Sequence, residues 1–280
     1  LNVSPYTQEA IDDPWRITSL SSAQDARVAS MTLPDDRMSS ILNELVLRKD
    51  DRQGTLVICD LAAEVTGMSG ASIMLLSDEL ARGSLCTTDG VAVYLDDLQF
   101  ALGEGPSLDA QASGDPVIEP DLAAPAVPRW PALVPSAVGA GVRAVFAFPL
   151  RIGAVRLGAL TLFRDTPGTL DDTQYGNALA ICVVAARTIL ALQADAPPGS
   201  VAIELQEGAN FHFVVHQAAG MVSIQLDVSV AEALVRLRAH SFLTERPIDD
   251  VSRDVVERRL RLDNERPSGP GDFSVAAPGG

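Results

Sequence analysis

The stretch ADAPPGS at residues 194–200 constrains the fold of this chain most. Pro197 and Pro198 cannot continue a helix, and Gly199 resists helical order. It follows DDTQYGNALAICVVAARTILALQ (171–193), a helical pattern in which Leu179, Cys182, Val183, Ala186, Ile189 and Leu190 leave little polar surface. The residues on the two sides of this break differ in pattern and in charge. Up to Asn210 there are 13 Arg and Lys against 27 Asp and Glu, whereas from Phe211 onward 8 Arg face 10 acids. All three histidines, His212, His216 and His240, lie in the second part. A net charge of -16 looks hostile to nucleic acid, but the acidity belongs to the front.

Before the break, element types alternate. MSSILNELVLRK and TLVICDLAAEVTG carry helical spacing, with Gly67 as a stop. ASIMLLS (71–77) and GSLCTT (83–88) read as a hairpin. VAVYLDDLQFAL (91–102) reads as a helix ending in the loop GEGPS, followed by a strand in PVIEP and a short helix interrupted by Pro135. RAVFAFPL (143–150) and AVRLGALTLF (154–163) are two strands joined at Arg151-Ile152-Gly153. Paired strands with helices at both ends predict an α+β domain around an antiparallel sheet. After the break come three amphipathic helices. The first covers about 209–226, and the second opens at the capping box Ser229-Val-Ala-Glu232. The third starts with Pro247 and ends among Arg258, Arg259 and Arg261.

Several function classes are disfavoured. Cys59, Cys86 and Cys182 are odd in number and widely spaced, which predicts neither a zinc site nor a disulfide framework and makes a reducing cytoplasm the default. No apolar run of about 18 residues suggests a membrane span. The first residues lack the basic and apolar regions of a secretory signal, and the initiator could be Met31 or Met38. Residues 1–37 read as a flexible extension, 194–208 as a linker and 263–280 as a disordered tail. GEGPS is not a nucleophile elbow, no histidine precedes His212, and the single lysine, Lys49, sits in no phosphate loop. Neither an enzyme, a cofactor nor a metal site is expected.

The motifs GEGPSLDAQASGDPVIEPDLA and RWPALVPSAVGAGVRAVFAFPLRIGAVRLGALTLF resemble the GAF domains of actinobacterial signalling proteins over approximately 38–193. The resemblance implies a sensory domain that dimerises through its flanking helices, with a small-molecule pocket above the sheet lined by Leu102, Phe146 and Phe148. Relatives often carry a cysteine after GEGP. This chain has Ser107, which cannot form a reactive thiolate.

HQAAGMVSIQL, VSVAEALVRLRAHSF and RPIDDVSRDVV are, in that order, similar to the ANTAR domain, a three-helix RNA-binding module, over 209–262. The resemblance implies a cytoplasmic homodimeric transcription antiterminator that binds hairpin loops in mRNA leaders. Carried over position by position, the RNA-binding residues are Ala218 and Gly220 as small positions, Arg238 and Arg246 as basic ones, and His240 as a residue that stacks on a base. Ala219 replaces a frequent lysine, Ser241 an alanine and Glu245 a common asparagine. Losing a cation and gaining an anion both reduce phosphate attraction. These departures keep open the alternative of a helical module for protein–protein interaction that binds no RNA.

Overall fold

The computed structural model describes residues 35–48, 56–76, 81–194 and 211–262. Most of the expected extension, linker and tail lies outside these residues. Two helices open the described chain, α1 (Asp35–Arg48) and α2 (Leu56–Thr66), so α1 begins ahead of the expected boundary at 38. The hairpin follows as β1 (Gly70–Leu76) and β2 (Ala81–Thr87), then α3 (Gly90–Leu102) and α4 (Pro106–Ser113). Next come β3 (Val117–Glu119), α5 (Leu133–Gly139), β4 (Ala144–Ile152), β5 (Val155–Arg164) and α6 (Asp172–Ala194). The five strands form one antiparallel sheet in the order β2-β1-β5-β4-β3.

Alternation along the strands divides the sheet into two buried faces. Ile73, Phe146, Phe148, Leu150, Leu160 and Leu162 point to α1, α2 and α6. Val145, Ala147 and Phe163 point to the other side, where Ala92, Leu95, Leu122, Trp130 and Leu133 cover them. Gly158 lets β5 approach β1 closely, because a Cβ there would lie 2.0 Å from the Met74 carbonyl oxygen. At the start of α6, Asp171 Oδ1 accepts from Gln174 N at 2.8 Å while Gln174 Oε1 accepts from Asp171 N at 3.1 Å. Each thereby satisfies a backbone donor of the other at the start of the helix. The apolar residues of α6 are accommodated within the chain: Ala178, Ile181, Val184, Ala185 and Ile189 are buried among α1, α2 and β4. By length and composition α6 could cross a membrane, but half of its most apolar window is buried inside the fold.

Four local expectations are corrected. GEGPS does not end in a loop: Pro106 takes the first turn of α4, a position that needs no N–H. Pro135 does not interrupt α5, since it lies in the first turn where a donor is dispensable. Cys59 and Cys86 form a disulfide between α2 and β2, both of them buried in the apolar core. The third helix of the tail stops at Val256, because Arg258 turns to a φ of 61° and places the terminal arginines beyond it.

That tail is α7 (Phe213–Leu226), α8 (Val230–Leu243) and α9 (Ile248–Val256). Ser229 Oγ accepts from Glu232 N at 3.1 Å, but Glu232 turns away to bind Arg236 at 2.8 Å, so only half of the capping box forms. Val215, Ala218, Ala219, Val222, Leu234, Leu237, Val251 and Val255 make the core of the trio, and Met74, Leu76, Phe100 and Ala159 of the front domain extend it.

Candidate functional site

Ion pairs join the α8–α9 turn to the segment that follows α9. Thr244 Oγ1 donates to the His240 carbonyl at 2.7 Å, and Ser241 Oγ donates to the Arg246 carbonyl at 2.6 Å. Ser241, a departure by resemblance, thus fastens the turn that presents Arg246. Arg246 Nη2 lies 2.6 Å from Asp254 Oδ2, and Arg259 holds the other oxygen at 2.7 Å. Hydrogen bonds from Arg246 and Arg259 keep the Asp254 carboxyl below the usual carboxylate range. Arg259 also pairs with Glu257. Arg246, Arg258, Arg259 and Arg261 are exposed and His240 is half-exposed. Beside them, Phe242 is 69% and Leu243 80% exposed.

The residues expected to bind RNA do not form one surface. His240 and Arg246 come together at this turn, but Ala218 is 0% exposed in the trio's core and has no access to a ligand. Its small size serves helix packing. Gly220 lies further along α7, and a Cβ there would meet nothing within 4 Å, so no neighbouring atom requires the glycine. Arg238 sits two residues from His240, a step of roughly 200° around a helix, and points to the opposite side.

On that side Arg238 meets the front domain. Its Nε donates to the Phe100 carbonyl at 2.9 Å, and its guanidinium carbon lies 5.6 Å from the centre of the Phe100 ring. Gly103 ends α3 with a φ of 70°, and a Cβ there would come within 2.8 Å of Arg238 Nη1. Glycine therefore serves both the left-handed backbone and the close approach. Burial lowers the Arg238 pKa to about 10. His212 completes the seam, its ring stacked on Phe100 with centroids 3.9 Å apart and planes 9° from parallel. Its Nε2 is 3.2 Å from Asp97 Oδ1, while Nδ1 is 3.4 Å from Asp249 Oδ2, an ion-pair distance short of good hydrogen-bond geometry. Burial pushes the imidazole pKa down, but the two carboxylates outweigh it and raise the value to about 9. Asp249 is held below its ordinary value chiefly by His212.

Under α3, facing the sheet, lies a buried polar cluster. Ser72 Oγ and Ser84 Oγ donate to the two Asp96 oxygens at 2.7 and 2.6 Å. Desolvation drives the Asp96 pKa up to about 7 against these bonds. Gln99 Oε1 accepts from Ser107 N at 2.8 Å, and the Ser107 and Thr161 hydroxyls share a hydrogen bond. The three residues expected to line a pocket do not converge. Phe146 and Phe148 face the opposite side of the sheet, toward α2 and α6, whereas Leu102 ends α3 on the other layer. The alternation of β4 decides this, since Val145 and Ala147, not the phenylalanines, face α3 and α5. The GEGP and RWP motifs support one another: Glu104 Oε1 accepts from Ala132 N and Leu133 N at 2.8 and 2.9 Å. Trp130 Nε1 donates to Asp109 Oδ2 at 2.9 Å.

His212, Asp97, Phe100 and Asp96 were not singled out from the sequence as site residues. A signal for the last existed in VYLDDLQF, where Asp96 and Gln99 share a helix face with Ala92 and Leu95. Nothing local marks His212 as a partner of Asp97.

No protein-family model matches the chain, and neither does any curated protein. Among solved structures it is similar to the GAF domain of an Acinetobacter phosphoenolpyruvate-protein phosphotransferase, at 12% identity and a TM-score of 0.44, covering 56% of this chain and 95% of that one. The GAF domain of the corresponding Coxiella burnetii protein is 15% identical, with a TM-score of 0.43 and coverages of 57% and 96%. A GAF domain/HD domain protein from Geobacter sulfurreducens is 12% identical, with a TM-score of 0.41 and coverages of 50% and 93%.

Proposed function

We propose that this chain is a signal-responsive regulator in which a GAF-type sensory domain at 38–193 controls an ANTAR-type RNA-binding trio at 209–262. Its activity in this reading is transcription antitermination, by binding hairpin loops in mRNA leaders. The observation that carries the reading is the exposed Arg246 of the α8–α9 turn, joined through Asp254 to exposed Arg259 of the segment after α9. Half-exposed His240 and exposed Phe242 lie at the end of α8, and Arg258 and Arg261 are exposed in that same later segment. Cations for phosphates next to rings for unstacked bases are what recognition of RNA loops requires. The acidic partners of Arg246 and Arg259 tune this surface, because an incoming phosphate must compete with Asp254. The regulator acts as a homodimer, and Leu42, Leu47 and Leu190, exposed on α1 and α6, supply apolar surface for that contact.

The test is binding of the full chain to a fluorescent two-hairpin RNA and to a scrambled duplex across a salt series. The expected result is selective binding whose affinity falls with salt, reduced about tenfold or more by Arg246→Ala together with Arg258→Ala, since each lost phosphate contact also flattens the salt slope. Equal binding to both nucleic acids, or none, sinks the RNA reading. Light scattering showing a monomer at high concentration removes the dimer.

A second reading, a protein-docking module, is favoured by Val235, Phe242 and Leu243, which are 59%, 69% and 80% exposed on α8. It predicts no salt-sensitive RNA binding and association weakened by Phe242→Ala.

A further inference from the structure

The seam between α3 and the helical trio leaves one proposed RNA-binding residue facing the wrong way. Arg238 has its guanidinium committed to the Phe100 carbonyl and ring face, in the space that Gly103 leaves open. Two residues on, His240 is on the accessible side. Three further features make the seam more than an incidental touch. The trio's apolar core runs without interruption into Met74, Leu76, Phe100 and Ala159 of the front domain. His212, at the very start of α7, stacks on Phe100 between Asp97 of α3 and Asp249 of α9, so one side chain ties three helices. The docking partner also belongs to the part of the chain with 27 acids against 13 bases, a field that repels polyanions.

We infer that the seam is an autoinhibitory latch: with the trio docked on α3, Arg238 is withheld from RNA and the acidic front domain screens the reading surface. Undocking releases it. This rests on the RNA-binding reading above and adds its control. The same α3 carries the release mechanism. Asp97 and Phe100 grip the trio, while Asp96 and Gln99, their immediate neighbours, hold the buried polar cluster on the adjoining face of the same helix. Any event that rotates or shifts α3 at that cluster disturbs both grips at once. The latch is thus placed where a change inside the front domain is converted into exposure of Arg238.

Two full-chain variants open it by different means. Asp97→Arg sets a cation against the charged His212; Asp97 is 42% exposed, so the core is spared. Gly103→Asn inserts a Cβ where the Arg238 guanidinium lies, without altering charge, and asparagine tolerates the left-handed backbone there. Hydrogen exchange of the α7 and α8 amides reports opening, and affinity for the two-hairpin RNA reports release. Both variants are expected to speed exchange and to raise RNA affinity by about fivefold or more, the range of ordinary coupling between sites. Adding Arg238→Ala to either is expected to abolish the gain. A gain in Asp97→Arg alone reflects added positive charge and overturns the latch. Faster exchange with unchanged, measurable RNA affinity also overturns it while leaving the RNA reading intact. Unchanged exchange in both variants shows that neither contact holds the trio and overturns it equally. If exchange speeds up and neither wild type nor variant binds RNA, the RNA reading fails and the latch falls with it.

Discussion

The two halves of the described chain bury their apolar residues by different means. The front domain closes two layers around a sheet, with Phe146, Phe148, Leu150 and Leu160 fully enclosed on one face and a disulfide crossing from α2 to β2. The trio's core mixes small residues such as Ala218, Ala219 and Ala233 with aliphatic ones such as Val222, Leu234, Leu237 and Ile248, and takes its aromatic ring, Phe100, from its neighbour. Small residues allow close helix approach but bury little area each, so such a bundle gains from a partner surface. The front domain has two apolar layers of its own, whereas the trio's single core is completed by docking. The contrast has a functional side, because a module completed by docking is also one whose exposure can be controlled.

The hardest way to break the comparison is to empty each core in turn. Phe148→Ala removes a fully buried ring that meets Tyr175 edge-on at 5.3 Å. It is expected to cost ~3–5 kcal/mol by transfer plus cavity, lowering the melting temperature of the front domain. Phe100→Ala is expected to cost a similar amount but to be felt differently, by freeing the α7–α9 amides to exchange before the sheet opens. If both variants unfold the whole described chain in one step with identical exchange patterns, the two halves are not distinct units.

Next comes the disulfide, which closes a loop of 27 residues between Cys59 and Cys86. Cys59→Ser with Cys86→Ser is expected to destabilise the front domain by about 3.5 kcal/mol through loop entropy alone. Denaturant unfolding measures it, and the trio's docking should be unaffected. Free Cys182 is buried, and desolvation moves its pKa well above the thiol range, so it offers no substitute thiolate.

The seam itself responds to pH through His212. Asp249 of α9 and Asp97 of α3 together raise its pKa from 6.5 to about 9. Undocking removes the Asp97 contact, so that contact makes the docked state bind the proton more tightly than the undocked one. The Asp97–His212 contact therefore stabilises docking while the imidazole is charged and is lost as pH rises through about 9. Exchange of the trio's amides, corrected for intrinsic rates, is expected to speed up as pH rises through about 9. The same titration on His212→Gln should be flat; a slope that persists there assigns the effect to another group.

How much of this could be read in advance depends on the range of the interaction. Period-two runs such as RAVFAFPL and AVRLGALTLF, the Ser229 cap and the 194–200 break are local signals, and all the described strands and helices they predicted formed. Helix α4 was missed because PSLDAQAS carries little amphipathic contrast and was masked by the turn residues before it. The face of Phe146 and Phe148 was misjudged because alternation says that two faces exist but not which one meets which helix. The disulfide pairs residues distant in sequence, and the seam joins Asp97 to His212 across more than a hundred positions. Arg238 reads as a basic residue on a helix; only the position of α3 shows that it is occupied. Tertiary placement, not residue type, decides such sites.

The smallest expected effect tests the polar cluster buried between α3 and the sheet of the front domain. Asp96 is buried, and although the Ser84 and Ser72 hydroxyls and the nearby His212 favour its charge, desolvation raises its carboxyl from 3.8 to about 7. The folded domain therefore holds this proton more tightly than the unfolded chain does. Its charged form costs stability that is absent below about pH 4, grows as pH rises toward 7 and stays constant above. Asp96→Asn keeps the shape, and either hydroxyl can rotate to accept from the new amide, so the charge penalty is removed with little loss of bonding. The variant is expected to be more stable than wild type by about 1 kcal/mol at pH 8, with the difference shrinking or reversing at pH 5. Thermal melts at the two pH values measure it. An equal difference at both would mean that Asp96 stays in one protonation state throughout, and that the serine pair solvates the carboxylate better than two hydroxyls ordinarily do. The docking of the trio should follow the same dependence only if α3 moves with its buried face, so hydrogen exchange on this one variant also tests whether the cluster and the latch are mechanically joined.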